Sequence, residues 1–562
     1  MSPQGHREPT QELLATIAAF EQGPTAEVPL PAQCRFPARY VWLKQRLGNQ
    51  VQLPSYSCRD LEVWRQQNQL QSISLIFVTG YLGNPASFFG HLLMKLNKQN
   101  ETYLTDTPLL DSSVNFGANT GQQDNTIKYV SYGLLGGYSA SFSQEDYYRY
   151  EHGYAENEQR ELWEYELNLS AEELTLLEAH LWERKGQQYR YYFLDSNCAS
   201  QMANFISIVL DEPLVDNLLP WDMPLDIFKA LTKREHNGRP LVKSINKSES
   251  KYARIRDKYL ALSPEEQAAA KSLTINQPFF TDSRYLNLSA GSQSRVLNLM
   301  FDYYELLMVE GDAEKASIAK QRKLQLMRAR LQLPAMETAW QRSNTAPPHQ
   351  AQNPLKLALS SGYSVKHGGF GQLSFRAAYY GYLSLETSRF KDSNATFFDA
   401  EVKFDAQDIW LGKLDVFNVT TLNIHQVDLF DENRFAWSTR LTVEQQNLSC
   451  RDCERVRWYG GLGKAMPLSG GVSLYALPRV NLDISNYHDS DVGVTLGALY
   501  TANPIWKTHL TVTPTSGFGP NAEQSVLVDW ESRFGNSQDW DIRFNAKYHQ
   551  SSEFGVSYAR YF

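Results

Sequence analysis

A chain of 562 residues is too long for one hydrophobic core and implies two or three domains. With 42% hydrophobic and 21% charged residues its composition is that of a folded protein, and a formal net charge of -8 gives no reason to expect nucleic acid as a partner. No run of eighteen apolar residues exists, so no helix of this sequence is expected to cross a bilayer.

The opening, Met1-Ser2-Pro3-Gln4-Gly5-His6, lacks the basic-then-apolar pattern of a secretion signal, which fits either a cytosolic protein or an exported one written without its signal. Gln11 to Phe20 can form a short amphipathic helix, and Pro29-Leu30-Pro31 breaks regular structure before Cys34. Cysteine usage points to the compartment. Cys34 and Cys58 share one N-terminal segment, Cys450 and Cys453 lie three apart, and two local pairs account for four of the five cysteines. No second Cys/His pair stands near Cys450 and Cys453 at ligand spacing, which weakens a zinc reading. Disulfides imply an oxidising compartment and favour an exported protein. Cys198 is left alone.

Strand character begins at Ser72 to Thr79, ends at Gly80, and resumes from Ser87 to Leu96 after Gly83-Asn84-Pro85, placing His91 in or beside a strand. Leu162 to Leu169 alternates as another strand, Ser170-Ala171-Glu172-Glu173 opens a helix as a capping box, and Tyr189 to Leu194 reads as a short aromatic strand. Asn197 or Ser196 then caps a helix whose Met202, Phe205, Ile206, Val209 and Leu210 fall on one face. From about 215 the pattern turns helical and charged, with helices expected over Lys251 to Leu260, Pro264 to Leu273, Ser292 to Glu310 and Ala313 to Leu333. The linker Ser343 to His349 closes this block.

From 355 onward the texture changes to segments of about ten residues with period two. Phe398, Ala400, Val402 and Phe404 alternate with Asp399, Glu401, Lys403 and Asp405; Trp540, Ile542, Phe544 and Ala546 alternate with Asp541, Arg543, Asn545 and Lys547. Twelve strands are expected, at 355–363, 370–379, 396–405, 408–417, 435–445, 455–464, 471–485 (holding Pro478), 491–500, 506–513, 524–534, 538–548 and 553–562. Apolar towards lipid, polar towards the lumen and ending on Phe562, they suit an outer-membrane barrel better than a soluble sandwich, whose strands are shorter and hide their apolar face. The connections 380–395 and 418–434 are long where an even barrel would place short periplasmic turns.

Cys198 carries the chemistry. A thiolate at a helix start is stabilised by unsatisfied N–H groups and the helix dipole, and an imidazole can take its proton. Cys198 is the expected nucleophile and His91 the expected general base and later acid. Asn115 is the candidate to orient the ring by accepting the Nδ1 proton. Asn197 is expected to cap the cysteine helix or donate to an oxyanion, capping being the simpler role. His152 and His180 are rivals for His91, though Leu174, Leu177, Leu181 and Trp182 place His180 on a helix packed against the core. With no Gly-rich phosphate loop, HExxH helix or calcium loop, no metal or other cofactor is expected.

With these residues in hand, the chain resembles the Lnb-type family, whose N-terminal domain belongs to the permuted NlpC-type, papain-like cysteine enzymes. The resemblance rests on Cys34-Arg35-Phe36-Pro37-Ala38-Arg39-Tyr40, Gly90-His91-Leu92, Val114-Asn115-Phe116-Gly117-Ala118, Leu162-Trp163-Glu164-Tyr165-Glu166-Leu167 and Asp195-Ser196-Asn197-Cys198. Pro347-Pro348-His349 and Leu373-Ser374-Phe375-Arg376-Ala377-Ala378-Tyr379 resemble the family's bridge into its C-terminal region. It implies a histidine strand that precedes a cysteine helix, and family members in firmicutes are similar to lipoprotein transacylases, which move an acyl chain onto a terminal amino group. The expected architecture is an N-terminal disulfide segment (1–70), an α+β, permuted papain-like domain (71–214), a helical insert and linker (215–350) and an antiparallel transmembrane barrel (351–562). The expected function is a cysteine-dependent acyl transferase or hydrolase in the periplasm of a Gram-negative bacterium, anchored among outer-membrane lipids and acting on an acylated lipid or lipoprotein. A cell-wall peptidase or amidase using the same dyad, and a non-catalytic binding, transport or assembly protein, are the alternatives.

Overall fold

In the computed structural model the described residues are 1–24, 29–48, 53–81, 88–98, 111–120, 126–215, 220–275, 283–310, 312–335, 340, 345–385, 387, 391–424, 427–430, 435–518 and 524–562. The chain divides into two compact units, Met1–Ser250 and Lys251–Phe562. Gly83-Asn84-Pro85, Ser343 and Asn344 lie outside the described residues.

The first unit opens with four helices, α1 (Pro9–Glu21), α2 (Ala32–Arg35), α3 (Pro37–Leu47) and α4 (Arg59–Asn68). A disulfide joins Cys34 of α2 to Cys58, just before α4. Next come β1 (Leu70–Val78), β2 (His91–Lys98), β3 (Ser112–Ala118), α5 (Thr126–Leu135), β4 (Tyr138–Asp146), α6 (Tyr147–Glu151) and β5 (Leu162–Leu167). Then α7 (Ala171–Arg184), β6 (Gln188–Tyr191), α8 (Cys198–Ser207) and α9 (Pro224–Lys233) precede the two-residue hairpin β7 (Glu235–His236) and β8 (Arg239–Pro240), and β9 (Val242–Ser248) ends the unit.

Seven of these strands form one antiparallel sheet in the order β6-β4-β3-β2-β1-β5-β9. β1 reads as a mostly apolar run because it is central and covered on both faces. Leu75 and Phe77 point into a core shared with Met94, Phe116, Tyr165, α8 and α9, while Ile76 and Val78 pack with Leu93, Tyr147 and Ala155 on the other side. Residues 215–250, expected at the head of the helical insert, join this unit instead, since β9 extends the sheet beside β5. That edge strand is too polar to announce itself by period.

The second unit begins with helices α10 (Lys251–Leu260), α11 (Pro264–Ser272), α12 (Ser283–Leu286), α13 (Ala290–Glu310) and α14 (Ala313–Leu331). The capping box at Ser263 and Glu266 starts α11 as its residue types require. Twelve strands, β10 (Lys356–Ser364), β11 (Gly368–Tyr380), β12 (Ser393–Phe404), β13 (Ile409–Thr421), β14 (Ala436–Gln445), β15 (Glu454–Pro467), β16 (Val472–Asp483), β17 (Asp491–Thr501), β18 (Trp506–Gly517), β19 (Gln524–Phe534), β20 (Trp540–Tyr548) and β21 (Ser552–Tyr561), then close into an antiparallel barrel through β10 and β21. A second disulfide, Cys450–Cys453, sits between β14 and β15.

Closure rules out the sandwich. Leu359, Leu373, Phe398, Phe544 and Tyr558 are exposed on the outside, and charged side chains of the strands turn inward and pair. Lys403 meets Glu553 at 2.5 Å, Lys413 meets Glu401 at 3.0 Å, Arg440 meets Asp415 at 2.7 Å, and Arg543 meets Asp541 and Glu531 at 3.0 Å each. An apolar exterior around a charged, paired interior is the inverse of a soluble protein and the pattern of a barrel in lipid.

The two long connections have structural work. In the first, Leu383 and Ser384 are buried, Lys507 donates to the Ser384 carbonyl at 3.1 Å, and Tyr382 lies on His509 at 4.8 Å between ring centres. In the second, Val427 and Leu429 enter the core of the helical block. There the Tyr259 hydroxyl donates to Asp428 at 2.6 Å, Lys271 pairs with the same carboxylate, and Tyr252 and Tyr303 pack on Phe430. The block is thereby held at the β13–β14 end of the barrel. Leu359→Arg, on the outer face of β10, should destabilise the barrel by about 2–4 kcal/mol in urea titrations in phospholipid vesicles, whereas Ser360→Ala on the inner face should change it far less.

Candidate active site

Gly90 sets the entry to β2. Its φ is +83°, and a Cβ there would stand 2.7 Å from the Val78 carbonyl oxygen and 3.2 Å from the Phe77 ring, so only glycine fits. His91 follows as the first residue of β2, paired with Val78. α8 packs on β2 and β3, because its apolar face, Met202, Phe205 and Ile206, enters the same core as Leu92, Met94 and Phe116. That packing brings the first residue of α8, Cys198, to His91.

The helix start is built by Asn197. Its Oδ1 accepts the N–H groups of Ala199 at 2.8 Å and Ser200 at 3.1 Å, and the Ser200 hydroxyl accepts the Asn197 N–H at 3.0 Å. The Asn197 amide nitrogen donates to the carbonyls of Phe193, Leu194 and Asp222 at 2.9, 3.3 and 2.8 Å. Asn197 is thus the cap, and its amide is committed to these carbonyls rather than to an oxyanion. The N–H of Cys198, at the first helical position, belongs to the donors a helix leaves without an intrahelical acceptor.

Cys198 is the free cysteine, buried, with its sulfur hydrogen-bonded to the His91 ring and to the backbone N–H groups of Leu92 and Ala199. Burial pushes the thiol pKa up, but the charge and hydrogen bond of His91 and the two N–H groups outweigh it and hold the thiol below its ordinary range. The converse holds for His91. Burial favours the neutral ring, yet the charge and hydrogen bond of Cys198, with Asn115, raise its pKa above the ordinary value, while Arg160 opposes them. The pair therefore favours thiolate and imidazolium together.

Asn115, on β3, lies where its Oδ1 is 2.7 Å from His91 Nε2. The expected contact was to Nδ1. With Nε2 engaged by Asn115, Nδ1 is the ring nitrogen left to face the sulfur. Asn115 is itself held, since the Tyr150 hydroxyl is hydrogen-bonded to its side chain and to Ser143, the β4 residue paired with Asn115.

Five further residues shape the site. After α6 the helix widens into a π turn, His152–Asn157, which sets the Tyr154 ring 6.1 Å from that of His91. Arg160 lies over the Tyr154 ring at 4.9 Å and donates to the carbonyls of Thr79 at 2.6 Å and Val78 at 3.4 Å, clamping the strand end behind His91. On the cysteine side stand Tyr129, pushed up to about 12 by burial and the charges of Tyr138 and Cys198, Tyr191, and Phe193, which packs on Tyr129 at 5.0 Å. Tyr147, Tyr150 and Tyr154 recur at i, i+3 and i+7, a helical stripe that is the sequence signal for this wall.

The rival histidines stand elsewhere. His152 is exposed and paired with Glu156 at 2.9 Å. His180 sits on α7 against Phe205 and accepts from Arg184 at 3.2 Å, and burial, with Arg184 and Arg39, pushes it down to about 4.

Residues 60–234 match the Lnb N-terminal periplasmic domain family. The flanks match two domains of unknown function, DUF7843 over residues 1–46 and DUF7840 over residues 345–561. Among curated proteins none matches. Solved structures similar to the barrel region include the NanC porin, at 9% identity and TM-score 0.25 over 37% of this chain and 99% of that one. An outer membrane channel of Pseudomonas putida F1 gives 10% identity and TM-score 0.24 over 41% of this chain and 100% of that one. The Lnb domain and the closed twelve-stranded barrel make this an outer membrane protein whose N-terminal domain is periplasmic.

The electrostatics of the pair carry a sign. Because the Cys198 pKa is lowered by an imidazolium, alkylation of the thiol by iodoacetamide should rise with pH through a midpoint below that of an ordinary thiol; His91→Ala should move that midpoint upward, since burial then acts unopposed by the ring. Gly90→Ala should cost about 1–3 kcal/mol in stability and shift the alkylation midpoint in the same direction, because the displaced strand end carries His91.

Proposed function

We propose that the Lnb domain of this chain is a thiol acyl transferase or hydrolase acting on ester-linked acyl groups of lipids or lipoproteins. One observation carries the reading: the buried free sulfur of Cys198 is hydrogen-bonded to His91, whose Nε2 is held 2.7 Å from Asn115. Nucleophile, base and orienting amide stand in sequence, each fixed by a different element, as acyl transfer through a thioester requires. The resemblance to permuted papain-like enzymes supports it, since the histidine strand β2 precedes the cysteine helix α8 and packs under it.

The chemistry follows from the protonation state. The Cys198 thiolate attacks the ester carbonyl carbon and a carbon–sulfur bond forms, the oxyanion meeting the free N–H at the start of α8. As the tetrahedral centre collapses the carbon–oxygen bond breaks, and the proton held on His91 Nδ1 passes to the departing alcohol. An amine or water then attacks the thioester, gives its proton to His91 and releases the thiolate. Asn115 keeps the ring turned so that the same nitrogen serves both steps. The aromatic groups Tyr129, Tyr191 and Phe193 give the sulfur an apolar surrounding suited to an acyl chain, and the barrel keeps the domain in the compartment where such esters reside.

The test is intact-mass spectrometry of the full chain in phospholipid nanodiscs after brief incubation. A long-chain acyl adduct on Cys198, labile to hydroxylamine, is expected in the wild type and lost in Cys198→Ala. His91→Ala should slow its formation by about 10²–10⁴-fold. A wild type with no adduct, or an adduct that persists in Cys198→Ala, overturns the assignment.

A further inference from the structure

α14 has two apolar faces. Ala319 and Leu326 are buried in the helical block, whereas Leu324, Met327 and Leu331, at i, i+3 and i+7, form a stripe along another side that is 52%, 50% and 87% exposed. A helix that serves only as a spacer would carry polar residues there. The stripe is bordered by charge of one sign. Across Ala313–Leu331 six basic residues, Lys315, Lys320, Arg322, Lys323, Arg328 and Arg330, stand against the single acid Glu314, and Lys320 and Arg328 are exposed beside the stripe. Lys323 is drawn towards Glu305 at 2.6 Å. By formal charge the helix is strongly cationic, six bases against one acid.

We propose that α14 is an interfacial helix that lies on the anionic phospholipid surface of the inner leaflet, its leucine and methionine stripe entering the boundary between headgroups and acyl chains. Two observations select lipid as the occupant. The first is complementarity, since a row of bulky apolar side chains flanked by lysine and arginine is what an anionic bilayer surface holds. The second is continuity with the barrel's own lipid contact. The helical block is pinned to the β13–β14 end of the barrel by Val427, Asp428 and Leu429, and the chain leaves α14 to begin the first barrel strand on that same side. α14 is therefore built on the periplasmic rim, within the unit that spans the membrane. This surface is independent of the chemistry at Cys198. It would fix the helical block against the membrane and limit tilting of the barrel.

The experiment places a bimane label on the full chain in nanodiscs, at Met327→Cys or at Gln325→Cys, which lies on another side of α14, in a Cys198→Ser background. Lipids brominated on the acyl chain then report depth. In nanodiscs of phosphatidylethanolamine and phosphatidylglycerol the label at 327 should be quenched and that at 325 should not. Lys320→Gln or Arg328→Gln should weaken the surface-bound population about fivefold for each lost charge, and replacing phosphatidylglycerol by phosphatidylcholine should act in the same direction. Equal, weak quenching at both positions in every lipid overturns the proposal. So does protection of the label at 327 that arises from contact between two copies of the chain, read by dipolar coupling between spin labels at the same site.

Discussion

Cys198 is buried at the first turn of α8, where an ionised sulfur has lost its water, and what replaces that water is the ring of His91 together with the N–H groups of Leu92 and Ala199. Burial alone would leave the thiol neutral and inert. The rest of the first unit can be read as the support of this contact. β2 carries the ring, α8 carries the sulfur, and the core of Met94, Phe116, Met202 and Phe205 presses the two elements together. Gly90 supplies the one backbone conformation that lets β2 begin where it does.

Around that pair the supporting groups act through one another. Asn115 holds His91, Tyr150 holds Asn115, and Arg160 ties the end of β1 while opposing the ring's protonation. The balance matters. Cys198 raises the ring's pKa and Arg160 lowers it, so the imidazole is kept able both to hold a proton and to release it. Asn197, by contrast, has spent both ends of its amide on the helix start and on neighbouring carbonyls, which makes it a builder of the site.

In the second unit the governing constraint is the solvent. Lipid outside demands apolar side chains and a sheet with no open edge, and the strands answer with alternation and closure. The charged side chains displaced inward then pair inside the barrel, between strands apart in the wall at Lys403–Glu553 and between neighbouring strands at Arg440–Asp415. The long connections, out of place in a minimal barrel, are explained by what they meet: one turns inward to Lys507 and His509, the other seals the helical block through Val427 and Leu429.

The sequence by itself determined the elements whose signal is local. Twelve period-two segments, the capping box at Ser170, the cap at Asn197, the solitary cysteine and the local disulfide pairs were all legible, because alternation, capping and cysteine spacing are set by residues a few positions apart. What only the tertiary structure decided were the meetings of distant residues. Which ring nitrogen faces Asn115, the arrival of Tyr154 and Arg160 behind His91, the capture of β9 by the first sheet and the burial of Leu429 among helices each depend on packing that no local pattern encodes. Strand order and side-chain direction in a folded core are chosen by the total fit of its surfaces, and that fit exists only once the chain has closed on itself.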